Sequence, residues 1–193
     1  GSHLLLLAPR RVGKTSLLRN LENKPKDGYV FLYSIVQSCG TEHEYYEEII
    51  SNLFNSEFIG KLSKVTRWSS EKLSAFTSSI KDVSLADTGI TFESAEKILT
   101  HKDLRQALYQ LDINQKLVIV IDEFPDVLEK IYRDQGRESA ESFLSGCRDL
   151  WQDPKMDQKV QFILTGSIGL DSLVHKLNLS DLINALITIS VDP

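Results

Sequence analysis

The chain has few cysteines, few histidines and no long apolar run, and each shortage removes a class of function. Cys39 and Cys147 are the only two cysteines, and they have no metal-ligand spacing. They read as buried or incidental thiols of a cytoplasmic protein rather than as a disulfide. The four histidines are scattered, so they build neither a metal cluster nor a nucleophile triad. No apolar stretch reaches the ~20 residues of a membrane-spanning helix, and no signal peptide is visible. Positive charge is also in deficit. The net charge is −5, so the overall field does not favour nucleic acid, although a local basic surface stays open. What is present is ordinary for a globular protein: 41% apolar and 25% charged residues over 193 positions. That length fits a single α/β domain with a sizeable core.

The most informative segment is Leu4-Leu5-Leu6-Leu7-Ala8-Pro9-Arg10-Arg11-Val12-Gly13-Lys14-Thr15-Ser16-Leu17-Leu18. It reads as a buried strand, a tight loop and the start of a helix. This is the order of a phosphate-binding loop, written G-x-x-x-x-G-K-[ST]. Successive backbone N–H groups curl around phosphate oxygens, and the helix N-terminus adds its partial positive charge. Residues 8–16 therefore form the expected nucleotide cradle. Lys14 is expected to reach the terminal phosphates, and the Thr15 hydroxyl to hold Mg²⁺. Ala8 replaces the usual first glycine, so its backbone must avoid positive φ. The competing reading is a solvated basic turn, which the four leucines before it and the amphipathic residues after it disfavour.

Leu117-Val118-Ile119-Val120-Ile121 is a continuous apolar run that ends in Asp122-Glu123. Such a run fits a strand buried on both faces of a parallel sheet. The C-terminal ends of such strands are where α/β sheets bind ligands. Asp122 suits an Mg²⁺-holding role, directly or through water, and Glu123 suits the orientation of an attacking water. A third run, Val160-Gln161-Phe162-Ile163-Leu164, ends in Thr165-Gly166-Ser167. Thr165 or Ser167 is a candidate sensor of the γ-phosphate. Either one also suits a helix cap.

Together these segments resemble the P-loop ATPases of the AAA+ superfamily, and most of all the archaeal and bacterial branch grouped with STAND signalling ATPases. The resemblance rests on Leu-Ala-Pro-Arg-Arg-Val-Gly-Lys-Thr-Ser-Leu-Leu, Ile-Asp-Glu-Phe-Pro and Ile-Leu-Thr-Gly-Ser-Ile-Gly-Leu. It implies a three-layer α/β/α fold with a parallel sheet of order 5-1-4-3-2. ATP and ADP are the implied ligands, with Mg²⁺ as cofactor and Lys14 and Glu123 as catalytic residues. It also implies a nucleotide-driven switch able to form homo-oligomers. Such proteins carry an adenine-packing segment before the first strand and a helical lid after the last. This chain is expected to be the ATPase core alone. Gly1-Ser2-His3 reads equally as a cloning remnant or as native sequence.

The remaining organisation follows from punctuation and periodicity. Glu22–Gly28 reads as a loop, and Tyr29–Val36 as the second strand. Thr41 opens a helix with Glu44 at capping-box spacing. From Gly60 the pattern becomes irregular. Ser69–Ser79 is a candidate helix, and Lys81–Phe92 reads as two short strands around Ala86-Asp87-Thr88-Gly89. This stretch, about residues 60–96, reads as a hairpin-containing insertion in a single domain of residues 1–193. It is either a cover for the core or a contact for a protein partner. Ser94 is expected to open the next helix. Phe124–Arg133 is expected to be helical, Asp134–Ser139 a loop, and Ala140–Trp151 an amphipathic helix. Arg148 lies on that last helix, either solvated or directed at a neighbouring subunit's phosphate. Two further matches fail. Leu144-Ser145-Gly146-Cys147-Arg148 follows the acidic strand instead of preceding it, so it is no transporter signature. Asn23-Lys24-Pro25-Lys26-Asp27 lies too near the first helix to read a guanine base. The rival functions are a non-hydrolysing nucleotide switch, an ATPase acting on DNA and a small-molecule kinase.

Overall fold

Apolar runs of five to seven residues alternate along this chain with helices of helical hydrophobic period, a pattern that demands a parallel sheet covered on both faces. A computed structural model of the protein describes residues 3–9, 12–66, 83–86, 89–92, 98–111, 113–166 and 170–190. The first half contains β1 (His3–Leu7), α1 (Lys14–Asn23), β2 (Tyr29–Ile35), α2 (Glu42–Phe54), α3 (Ser56–Thr66), β3 (Val83–Ala86) and β4 (Gly89–Phe92). The second half contains α4 (His101–Gln110), β5 (Lys116–Asp122), α5 (Phe124–Gln135), α6 (Arg137–Trp151) and β6 (Val160–Gly166). It ends with α7 (Leu170–Lys176), a 3-10 turn (Ser180–Leu182) and β7 (Leu186–Ser190).

The main sheet runs β2-β5-β6-β1-β7, and every neighbouring pair is parallel. Counted along the core strands this is 2-3-4-1-5, the expected order read from the opposite edge. Strand alternation divides the core in two. Leu117, Ile119 and Ile121 join the larger cluster, with residues of α2, α4, α5 and α6. Val118 and Val120 face the other way, with Phe31, Tyr33 and Leu18 of α1. The result is three layers, α/β/α. β3 and β4 form a separate antiparallel pair with Ala86 opposite Gly89, as the hairpin reading expects.

Local chemistry sets the helix ends. The Thr41 hydroxyl accepts from Glu44 N at 3.1 Å, while the Glu44 carboxylate accepts from Gly40 N at 2.6 Å. Several expectations need correction. Gly60 lies inside α3, so the irregular stretch begins later than expected. Leu99 and Thr100 precede α4 instead of lying within it. Thr100 caps that helix, with Asp103 completing a capping box. The expected loop Asp134–Ser139 shrinks to the single break at Gly136, whose φ of 86° a glycine adopts without a Cβ clash. The candidate helix Ser69–Ser79 and the expected helix start at Ser94 lie outside the described residues.

Candidate functional site

The loop after β1 is tied to the neighbouring strand. Ala8 is buried, and its N–H donates to the Gly166 carbonyl at 3.3 Å. Among the described non-glycine residues only Glu123 and Asn178 have positive φ, so Ala8 meets the requirement set by its Cβ. Gly13 ends the loop at φ 85° and ψ 13°, as N-cap of α1, and among the described residues no side chain caps this helix. The first N–H groups of any helix lack intrahelical partners. Here they open on a cavity of about 580 Å³ lined by Pro9, Gly13, Lys14, Thr15, Ser16, Gln37 and Glu123.

Strand β5 delivers two acids to the same place. Asp122 is 3% exposed and sits among hydroxyl donors. Thr15 Oγ1 donates to its Oδ2 at 2.9 Å, Tyr33 donates to the same oxygen, and Thr165 donates to Oδ1. The Lys14 ammonium lies 4.0 Å from Asp122 Oδ1 and 3.7 Å from Glu123 Oε1. Burial alone pushes the Asp122 carboxyl upward. The three hydroxyls, with Lys14 beside them, outweigh it and hold the group below the usual carboxylate range. Glu123 is different. Its backbone is left-handed at φ 62°, and its Oε2 is buried without a hydrogen-bond partner. An acceptor in that state has capacity to take a proton-bearing ligand such as water.

The residues expected at the site largely meet. Lys14, Thr15, Asp122, Glu123 and Thr165 come together, and Pro9, Gly13 and Ser16 line the cavity. Thr165 is fully buried with its hydroxyl on Asp122, so it orients the carboxylate. Val12 is 42% exposed and lies off the cavity lining. Arg10, Arg11 and Ser167 lie outside the described residues. Arg148, in the last turn of α6, is not among the cavity-lining residues.

Two contributors escaped the sequence reading. Tyr33 was an ordinary aromatic in a strand, and Gln37 an unremarked residue after it. The available signal is position: Tyr33 lies in the C-terminal part of β2 and Gln37 just after it, at the end of the sheet where the loop and acids lie.

The donor set suits magnesium. No group of three His, Cys, Asp or Glu that could cage a metal occurs among the described residues. One carboxylate and one hydroxyl, both hard oxygen donors, meet here beside the start of α1. Mg²⁺ is usually held in this way, with waters and substrate phosphates completing its shell.

A family profile described as an AAA domain matches residues 1–174. Among solved structures, the chain is similar to a Walker-type ATPase of Pyrococcus abyssi, with a TM-score of 0.59 and 20% identity. That match covers 98% of this chain and 48% of the other. This chain thus spans about half the length of the protein it matches, and the likeness is one of fold. No curated protein matches it. No helix among the described residues is long and apolar enough to cross a membrane.

Proposed function

The chain belongs to the AAA domain family, and we propose that it is an ATP-binding and ATP-hydrolysing core of the STAND-like kind, a nucleotide-driven switch. One observation carries the reading. An ammonium, a hydroxyl and two carboxylates lie within 4.0 Å steps of one another beside an uncapped helix start.

Each group has a distinct task. The N–H groups at the start of α1 and the Lys14 ammonium bind phosphate oxygens and offset their charge. Thr15 and Asp122 would hold Mg²⁺, which supplies further neutralisation of the β- and γ-phosphate oxygens when bound. Glu123 accepts a hydrogen bond from water and orients it for in-line attack on the γ-phosphorus. The new P–O bond forms as the bond to the β-γ bridging oxygen breaks, leaving ADP and phosphate. Catalysis of this type rests on positioning and charge, with no covalent intermediate.

Glu123→Gln tests the reading. It keeps the shape of residue 123 and removes its charge. Nucleotide binding should persist, while phosphate release at saturating ATP falls by about 100-fold or more. Hydrolysis at the wild-type rate would show that Glu123 does not activate water. Phosphate release absent from the wild type and restored by no condition would favour the non-hydrolysing switch.

A further inference from the structure

We propose that Tyr33 is the positioning residue of the metal site: its hydroxyl locks the Asp122 carboxylate in the orientation that presents Thr15 to the nucleotide's metal. This inference rests on the function proposed above.

The geometry begins with strand parity. In β2, Phe31 and Tyr33 face α1, as do Val118 and Val120 in β5. Asp122 continues that face of β5 by the same alternation. Register pairs Ile35 with Asp122, so Tyr33 lies one diagonal step away. A long aromatic side chain spans that step. The Tyr33 hydroxyl therefore reaches Asp122 Oδ2, which also accepts from Thr15.

The ring is itself held in place. The Arg19 guanidinium lies 3.8 Å from the Tyr33 ring centroid, a cation–π distance. Arg19 in turn pairs with Glu22 at 2.8 Å, and Glu22 lies 3.5 Å from Lys61 of α3. The ring packs in one cluster with Leu18, Phe31, Val118 and Val120.

The arrangement divides the carboxylate's work. Oδ1 is held by Thr165, and Oδ2 by Tyr33 and Thr15. With Tyr33 fixing Oδ2, Thr15 donates its proton inward and keeps its oxygen lone pairs for a cation. Partners that orient a metal-holding group typically change metal affinity by 10- to 100-fold when removed.

The test is Tyr33→Phe, read by binding of a fluorescent methylanthraniloyl-ATP during Mg²⁺ titration and separately in EDTA. The Mg²⁺ concentration for half-maximal enhancement of binding should rise about tenfold. Affinity in EDTA should stay within about twofold of wild type, because the phosphate cradle is untouched. Arg19→Met keeps the hydroxyl but releases the ring, and should raise the Mg²⁺ requirement by a smaller, roughly threefold, factor. A Tyr33→Phe titration superimposed on wild type overturns the proposal. So does equal weakening with and without Mg²⁺, which marks a packing role. If wild-type binding itself ignores Mg²⁺, it is the metal-assisted reading of the site that fails, and Tyr33's role fails with it.

Discussion

Replacing Gly166 with alanine tests how tightly the site is built. Gly166 ends β6, and its carbonyl holds the Ala8 N–H at the start of the loop. An added Cβ would lie 2.5 Å from Pro125 Cδ and closer still to Cγ. The proline ring is rigid and lies at the first turn of α5, so either the strand end or the helix start must move. Overpacking of this kind costs about 1–3 kcal/mol. In a domain of this size, Tm shifts by about 2–4 °C per kcal/mol, so a fall of roughly 2–12 °C is expected. Gly60 provides the opposite case within the same chain. It lies in α3, and a Cβ there meets nothing within 4 Å. Gly60→Ala should therefore stabilise by about 0.8–1 kcal/mol, the difference in helix propensity. Urea unfolding followed by circular dichroism measures both. If Gly166→Ala unfolds within about 0.5 kcal/mol of wild type, the close approach of β6 and α5 is not as described.

Two further outcomes follow from named contacts. Asp122 titrates below its unfolded value, so its stabilisation is complete above about pH 4 and is lost as pH falls through the lower folded value. Urea unfolding between pH 3 and 7 should show wild type losing stability below pH 4 more steeply than Asp122→Asn, and parallel curves would refute the hydroxyl cradle. Thr100→Ala removes the α4 cap, in which the hydroxyl accepts from Lys102 N at 3.3 Å and Asp103 accepts from Thr100 N at 2.9 Å. The expected loss is about 1 kcal/mol by the same assay, and no loss would mean that the capping box contributes nothing.

The sheet was legible because its signals are chemical and local. A run such as Leu117–Ile121 has no polar residue to place in solvent, so both faces must be covered, and they are. Gly13, Lys14 and Thr15 were legible because few other tasks need that order of residues. Helix boundaries were less so. Thr100 and Asp103 form a full capping box, and their spacing in sequence is the same as that of Thr41 and Glu44, but Ser94 offers an earlier polar start. Arg137–Ser139 looked like loop because it is polar. In fact these residues form the exposed first turn of α6, and Gly136 alone makes the break. Tyr33 was illegible for another reason. Its role depends on which residue of β5 lies beside it, and sequence does not reveal the register of two strands whose paired residues, such as Tyr29 and Lys116, are 87 positions apart.

The left-handed backbone at Glu123 links the core to the chemistry. A non-glycine residue there costs roughly 1–2 kcal/mol, so neighbours must hold it in place. Phe124 is fully buried, with its ring 5.8 Å from Phe143, 6.0 Å from Tyr45 and 6.2 Å from Trp151. Pro125 next to it fixes its own φ and abuts Gly166. On the other side, Asp122 is fastened by three hydroxyls. The chain is therefore pinned on both sides of one strained residue, and that residue carries the buried, unpartnered carboxylate oxygen. An extended backbone at position 123 would relieve the strain and continue the strand. Continuing the strand would also turn the side chain away from Lys14. The aromatic cluster around Phe124 and the hydroxyls around Asp122 thus act together: their packing and hydrogen bonds offset the strain that keeps Glu123 at the cavity.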